Sequence, residues 1–140
     1  MTDAQTWPDN VTEMVEDFAF LDDWEDRYMH VIDMGKALTL LAPEEKTAES
    51  KVKGCASQVW LVTERKNGKL YFRGDSDAFI VKGLVAIVFE LYSGRTPGEI
   101  AALDAEPVLK ELGLSEHLSS QRSNGLKAMI ARIKDEAKAA

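Results

Sequence analysis

Cys55 is the only cysteine in a chain of 140 residues. A lone thiol closes no disulfide within its own chain. It also builds no thiolate metal cage, because structural zinc and iron–sulfur sites need several Cys or His ligands. What a single thiolate can do is attack an electrophile. Its setting, Lys51-Val-Lys-Gly-Cys-Ala-Ser-Gln-Val-Trp60, fits that chemistry. Lys51 and Lys53 carry charge that favours thiolate over thiol. Gly54 opens backbone angles closed to other residues, and the small Ala56 and Ser57 leave a sulfur at a loop tip unshielded. The bland reading stands beside this one, since a free cysteine is among the most buried residue types. A Lys-x-Lys-Gly neighbourhood, however, is a poor place for a core residue.

The other familiar constellations are missing. There is no Gly-rich phosphate loop, no G-x-G-x-x-G, no H-E-x-x-H and no C-x-x-C. A Cys–His dyad would have to use His30 or His117, and nothing in the sequence brings either to Cys55. No metal ligand set is expected. Asp75 and Asp77 are close enough to pair, but helix capping accounts for both.

The elements that must position Cys55 follow from periodicity. Asn10 and Glu13 have capping-box spacing, opening a helix with Val11, Met14, Val15 and Phe18 on one face. Asp22 or Asp23 caps a second helix, expected to run to about Leu41 before Pro43. Three short strands follow: Ser50 to Lys53, Gln58 to Lys66, and Lys69 to Arg73. Asn67-Gly68 between the last two is a strong hairpin signal, pairing Lys66 with Lys69, Arg65 with Leu70 and Glu64 with Tyr71. The expected small three-stranded antiparallel sheet puts Cys55 in the turn between its first two strands. Asp75 or Ser76 then caps a helix from Ala78 to Tyr92 that is apolar almost all round and therefore central. Thr96-Pro-Gly-Glu99 opens a short helix, Asp104 another ended by Gly113, and Ser119 or Ser120 a last one with Leu126, Met129, Ile130 and Ile133 on one face. Leu114 to Leu118 reads as a connector. Arg122 opposes the dipole in the first turn of the last helix, for which a surface salt bridge is the commoner explanation and a role elsewhere the other. The fold class is α+β, with several helices packed on the small sheet, and residues 1–140 form one domain.

The net charge of −7 argues against nucleic acid as a partner. No apolar run reaches the ~20 residues of a membrane span. One cysteine and no basic-apolar leader point to the reducing cytoplasm.

Five blocks then carry a resemblance: Val52-Lys-Gly-Cys-Ala-Ser-Gln-Val-Trp-Leu61, Gly74-Asp-Ser-Asp-Ala78, Ile80-Val-Lys-Gly-Leu84, His117-Leu118 and Arg122-Ser-Asn-Gly-Leu126. In this order they resemble the SufE family of sulfur acceptors. One local departure is Ser119-Ser120, where relatives often carry a proline before the Arg-Ser motif. The resemblance implies a non-enzymatic accessory protein with an α+β fold related to the IscU scaffold. It implies that Cys55 takes a persulfide sulfur from a SufS-type cysteine desulfurase, stimulating it, and passes the sulfur to iron–sulfur assembly on a SufBCD-like scaffold. The pyridoxal phosphate of that reaction belongs to the desulfurase; this chain needs no cofactor. Gly54, Asp77 and Arg122 are carried over as loop-support or partner-binding residues. An exposed persulfide oxidises readily, so Cys55 is expected to rest partly buried on a loop that moves. The competing readings are an iron–sulfur scaffold and a redox-sensing binding module.

Overall fold

In the computed structural model, residues 7–38, 41–55 and 57–139 are described. The elements run α1 (Asp9–Ala19), α2 (Trp24–Lys36), a 3-10 turn (Pro43–Glu45), β1 (Val59–Lys66), β2 (Lys69–Ser76), α3 (Phe79–Tyr92), α4 (Pro97–Ala102), α5 (Ala105–Glu111), α6 (Leu114–His117) and α7 (Ser120–Lys138). This is an α+β arrangement with α3 at its centre, touching β2, α1, α2 and α7. Val85, Ile87, Val88, Leu91 and Tyr92 of α3 are wholly buried, as expected of a helix apolar on nearly every side.

Among the described residues the sheet has two strands, not three. β1 and β2 pair antiparallel around Asn67-Gly68 with the expected register: Lys66 faces Lys69, Arg65 faces Leu70 and Glu64 faces Tyr71. Asn67 and Gly68 both have positive φ, which the right-handed twist of a tight hairpin requires. The segment predicted as a third strand, Ser50 to Lys53, makes only an isolated bridge, Lys51 to Trp60. The bridge carries two bonds to β1, from Val52 N–H to the Val59 carbonyl and from Leu61 N–H to the Ser50 carbonyl, and the ladder goes no further because the Ser50 N–H turns to the Thr47 hydroxyl. Thr47 and Ser50 close a turn through their hydroxyls. Arg132 of α7 donates to the carbonyls of Glu49 at 2.7 Å and Lys51 at 3.2 Å.

Several expected helix caps are used differently. Helix α1 starts after Pro8, its N-cap two residues ahead of the expected Asn10, without a side-chain cap. Asn10 instead donates to the Glu90 carbonyl at 2.6 Å and accepts from Arg95 at 2.8 Å, tying α1 to the end of α3. Helix α2, capped by Asp23, stops at Lys36 rather than near Leu41. Its last turn tightens as the Ala37 N–H bonds the Met34 carbonyl at 3.2 Å; residues 39 and 40 lie outside the described ones. Strand β2 continues past Arg73 to Ser76, so neither Asp75 nor Ser76 caps α3, whose N-cap is Ala78. Asp75 is buried, and its carboxylate lies 3.3 Å from Lys46 and 3.4 Å from Lys82. Lys82 is thus in an ion pair rather than reaching out to water. The caps at Thr96, Asp104 and Ser119 form as expected. Leu114–His117 is a short helix rather than a connector.

Helices α2 and α3 cross at near backbone contact. A Cβ on Gly83 would overlap the Val31 carbonyl oxygen, and one on Gly35 would sit 2.5 Å from the Gly83 nitrogen. Among the described residues no helix is long and apolar enough to cross a membrane.

Candidate functional site: the Cys55 thiol and its pocket

The short segment bearing Cys55 is anchored at both ends. On the upstream side Val52 N–H bonds the Val59 carbonyl at 2.8 Å, and Leu61 N–H bonds that of Ser50 at 2.7 Å. The two Arg132 bonds pin the same stretch to α7. On the downstream side Gln58 N–H donates to the Asp77 carboxylate at 3.1 Å, and Asp77 N–H returns a bond to the Gln58 carbonyl at 3.3 Å. Asp77 therefore sits at the root of the loop instead of in the first turn of α3. Between these anchors Gly54 turns the chain at φ +91°, a region other residues rarely adopt. The loop then lies on α7: a Cβ at Gly54 would meet the Ala128 methyl at 3.2 Å.

Cys55 is half-buried. Its Sγ donates to the Gly125 carbonyl of α7 at 3.5 Å. Beside it lies a cavity of about 210 Å³. Val81 and Leu84 of α3 and Leu126 and Met129 of α7 give the cavity its buried, apolar side. Ser119, Gln121 and Arg122 contribute exposed polar groups. Burial pushes the Cys55 thiol above the ordinary cysteine range. The expectation that Lys51 and Lys53 favour the thiolate is therefore not met in this pose; both are exposed and neither lines the cavity. The sheltered pose expected of the thiol is the one the loop adopts.

Of the candidate residues, the fold brings Cys55, Gly54 and Arg122 to one place, with Asp77 holding the loop from below. The histidines lie elsewhere. His30 packs edge-on against Phe18, its ring 5.0 Å away, and His117 stacks on Trp24 at 4.4 Å. Trp60 is half-buried, with the Lys46 amine 5.1 Å from its ring centre. Three contributors were given no site role by the sequence reading: Gly125, Arg132 and the wall formed by Val81, Leu84 and Met129. Val81, Leu84 and Gly125 lie inside the motif blocks and Met129 on the apolar face of the last helix, whereas Arg132 left no signal.

The motif blocks, in this geometry, can be set against known proteins. A family model described as SufE, Fe–S metabolism associated domain, matches residues 12–137. The chain belongs to the SufE family. An uncharacterized SufE-like protein of Rhizobium etli is 58% identical over 133 residues, covering 92% of this chain and 90% of the relative. A second SufE-like protein, from Rhizobium meliloti, is 52% identical over 132 residues, covering 91% and 94%. The solution structure of a hypothetical protein from Thermus thermophilus matches with a TM-score of 0.78 at 19% identity, covering 96% of this chain and 98% of that one. At that identity the likeness speaks for a shared fold. The SufE family places the chain in Fe–S metabolism.

Proposed function

We propose that this SufE-like protein is a sulfur acceptor: Cys55 takes persulfide sulfur from a pyridoxal-phosphate-dependent cysteine desulfurase of the SufS type, stimulates it, and delivers the sulfur to Fe–S cluster assembly. The observation that carries this reading is a single thiol on a short, doubly anchored loop, seated beside an apolar cavity with Arg122 at its exposed side. Such a site can hold a reactive sulfur out of water and hand it over.

The transfer is an exchange of the thiol–disulfide kind. The donor arrives as a persulfide, R–S–SH. Cys55 thiolate attacks the outer sulfur, forming a new S–S bond as the donor's own S–S bond breaks. The electron pair leaves with the donor cysteine, whose thiolate takes up the proton that Cys55 gave. The products are Cys55–S–SH and a free donor thiol, with no net oxidation. Attack needs a thiolate and an open approach, and the half-buried resting pose disfavours the first and narrows the second. The loop therefore leaves α7 when the partner docks, with Gly54 as the flexible point and the anchors at Val52 and Gln58 staying in place. Arg122 supplies positive charge to the persulfide anion, and Asp77 keeps the loop root in position. The chain works as an accessory protein without a cofactor of its own. A lone working thiol suits a reducing compartment such as the cytoplasm, and a SufBCD-like scaffold is the recipient we infer.

Intact mass after incubation with the loaded desulfurase and free cysteine tests this. The expected result is one added sulfur on Cys55, removed by reductant and missing in Cys55→Ala. Absence of that gain during desulfurase turnover would overturn the reading. Cys55→Ser is expected to lose stimulation of the desulfurase while still binding it.

A further inference from the structure

We propose that Gly125 is a positioning residue for the Cys55 sulfur: its carbonyl and its missing side chain set how deeply the thiol rests on α7 and how readily the loop lets it go. This rests on the sulfur-acceptor reading and adds to it the device that keeps the acceptor at rest.

Gly125 lies inside α7, the longest helix described. Glycine there weakens a helix relative to alanine, and the position needs no unusual backbone, since positive φ falls on other glycines. The local structure gives no reason for a glycine. The neighbours do. The three nearest heavy atoms to a Cβ built on Gly125 all belong to Cys55: Sγ at 3.5 Å, and Cα and Cβ both at 3.8 Å. At those distances a Cβ would rest in ordinary contact with the cysteine, so a methyl fits beside it and a side chain reaching further would press on the sulfur. One turn further, a Cβ at Gly54 would come within 3.2 Å of the Ala128 methyl, a tighter contact, so the helix presents small residues to both ends of the Gly54-Cys55 pair.

The hydrogen bond adds a chemical condition. A helix carbonyl has a second lone pair beyond its own helical partner, and the Cys55 S–H donates to it. A thiolate has no proton to donate and would face the negative end of that carbonyl. The seat therefore accepts the protonated sulfur and disfavours the ionised one. The charged group on the cavity lining is Arg122 of α7; α3 contributes the uncharged Val81 and Leu84, and Lys53 of the loop is exposed. Leaving the seat exposes the sulfur and removes the obstacle to its ionisation in one movement. At rest the same contact protects it from oxidation.

Alkylation of Cys55 by iodoacetamide, followed across the thiol's titration, tests the seat without any desulfurase. Gly125→Val fills the space and should raise the rate at neutral pH about tenfold, with a lower midpoint, since one unit of pKa changes the thiolate fraction about tenfold. Gly125→Ala, whose methyl fits against the cysteine and which strengthens the helix, should alkylate like the natural protein, while Gly125→Leu, a better helix former than valine, should quicken alkylation as Gly125→Val does. A role in helix packing alone would move the melting temperature and leave the midpoint where it was. Unchanged or slower alkylation in folded Gly125→Val or Gly125→Leu would overturn the proposal. If alkylation responds as expected but no persulfide forms on the natural protein, the acceptor reading fails and the seat stands. If the persulfide forms and alkylation is indifferent to residue 125, the seat fails alone.

Discussion

At the residue scale, the chemistry of Cys55 is set by two opposed demands. The sulfur must be a thiolate to attack, and it must be sheltered to survive between encounters. Burial between α3 and α7 raises the thiol's pKa, so the resting pose meets only the second demand. Gly54 links the two states. Its φ of +91° strains any other residue, and its 3.2 Å approach to the Ala128 methyl makes a side chain there a tight fit in this pose. Gly54→Ala is expected to lift the loop from α7, lowering stability by about 1 kcal/mol. A thiol lifted from its seat is exposed and freer to ionise, so iodoacetamide alkylation of Cys55 should quicken in this variant. A variant that melts and alkylates like the natural protein would show that position 54 is not the flexible point.

At the scale of elements, the cavity beside the thiol depends on the placement of α3. Its far side is held by α2, and the two helices meet where Gly35 and Gly83 allow their backbones together. Gly83→Ala would put a methyl on the Val31 carbonyl, and the helices would have to separate. Overpacking of this kind is expected to cost about 3 kcal/mol, measurable as a lower urea midpoint. Because Val81 and Leu84 flank Gly83 and line the cavity, the same variant should also alter Cys55 alkylation. Asp75 links further elements, since it joins the end of β2 to Lys82 of α3 and to Lys46 ahead of the loop.

At the scale of the whole molecule, stability should depend on pH through carboxylates paired across long distances. The Arg73 guanidinium, with the Ala42 N–H, holds Glu45 at about 2 against an ordinary value of 4.5. Burial pushes Asp75 up, yet the Ser76 N–H and the two lysines hold it below its usual range. A carboxylate depressed on folding contributes fully above its unfolded value and loses that contribution as pH falls through the folded one. The melting temperature should thus fall as pH drops from about 4.5 toward 2, and Glu45→Gln should flatten part of that fall. Tyr92 acts at the other end: burial raises it to about 12 from 10, so its contribution is complete below 10 and lost as pH rises through 12. A melting temperature flat across the acid range would contradict the assignment.

The features legible in the sequence were those decided within a few residues. Asn67-Gly68 set the hairpin and its register, because a two-residue turn leaves one way to pair the flanking strands. Thr96 and Glu99 closed their capping box, and the apolar run from Ile80 to Leu91 could only be a buried helix. Cys55 stood out by being alone and by its neighbours. What tertiary structure decided was every polar group with a distant partner. Asn10 left its helix cap for Glu90 and Arg95, Asp77 took the loop root, Asp75 took two lysines, and Arg132 took the carbonyls of Glu49 and Lys51, tying the segment expected as a third strand to α7. The state of the thiol belongs to this second group. Lys51 and Lys53 are near in sequence and suggest a thiolate, but ionisation answers to solvent and to neighbours in space. Those are supplied by α3 and by Gly125, 70 residues away along the chain.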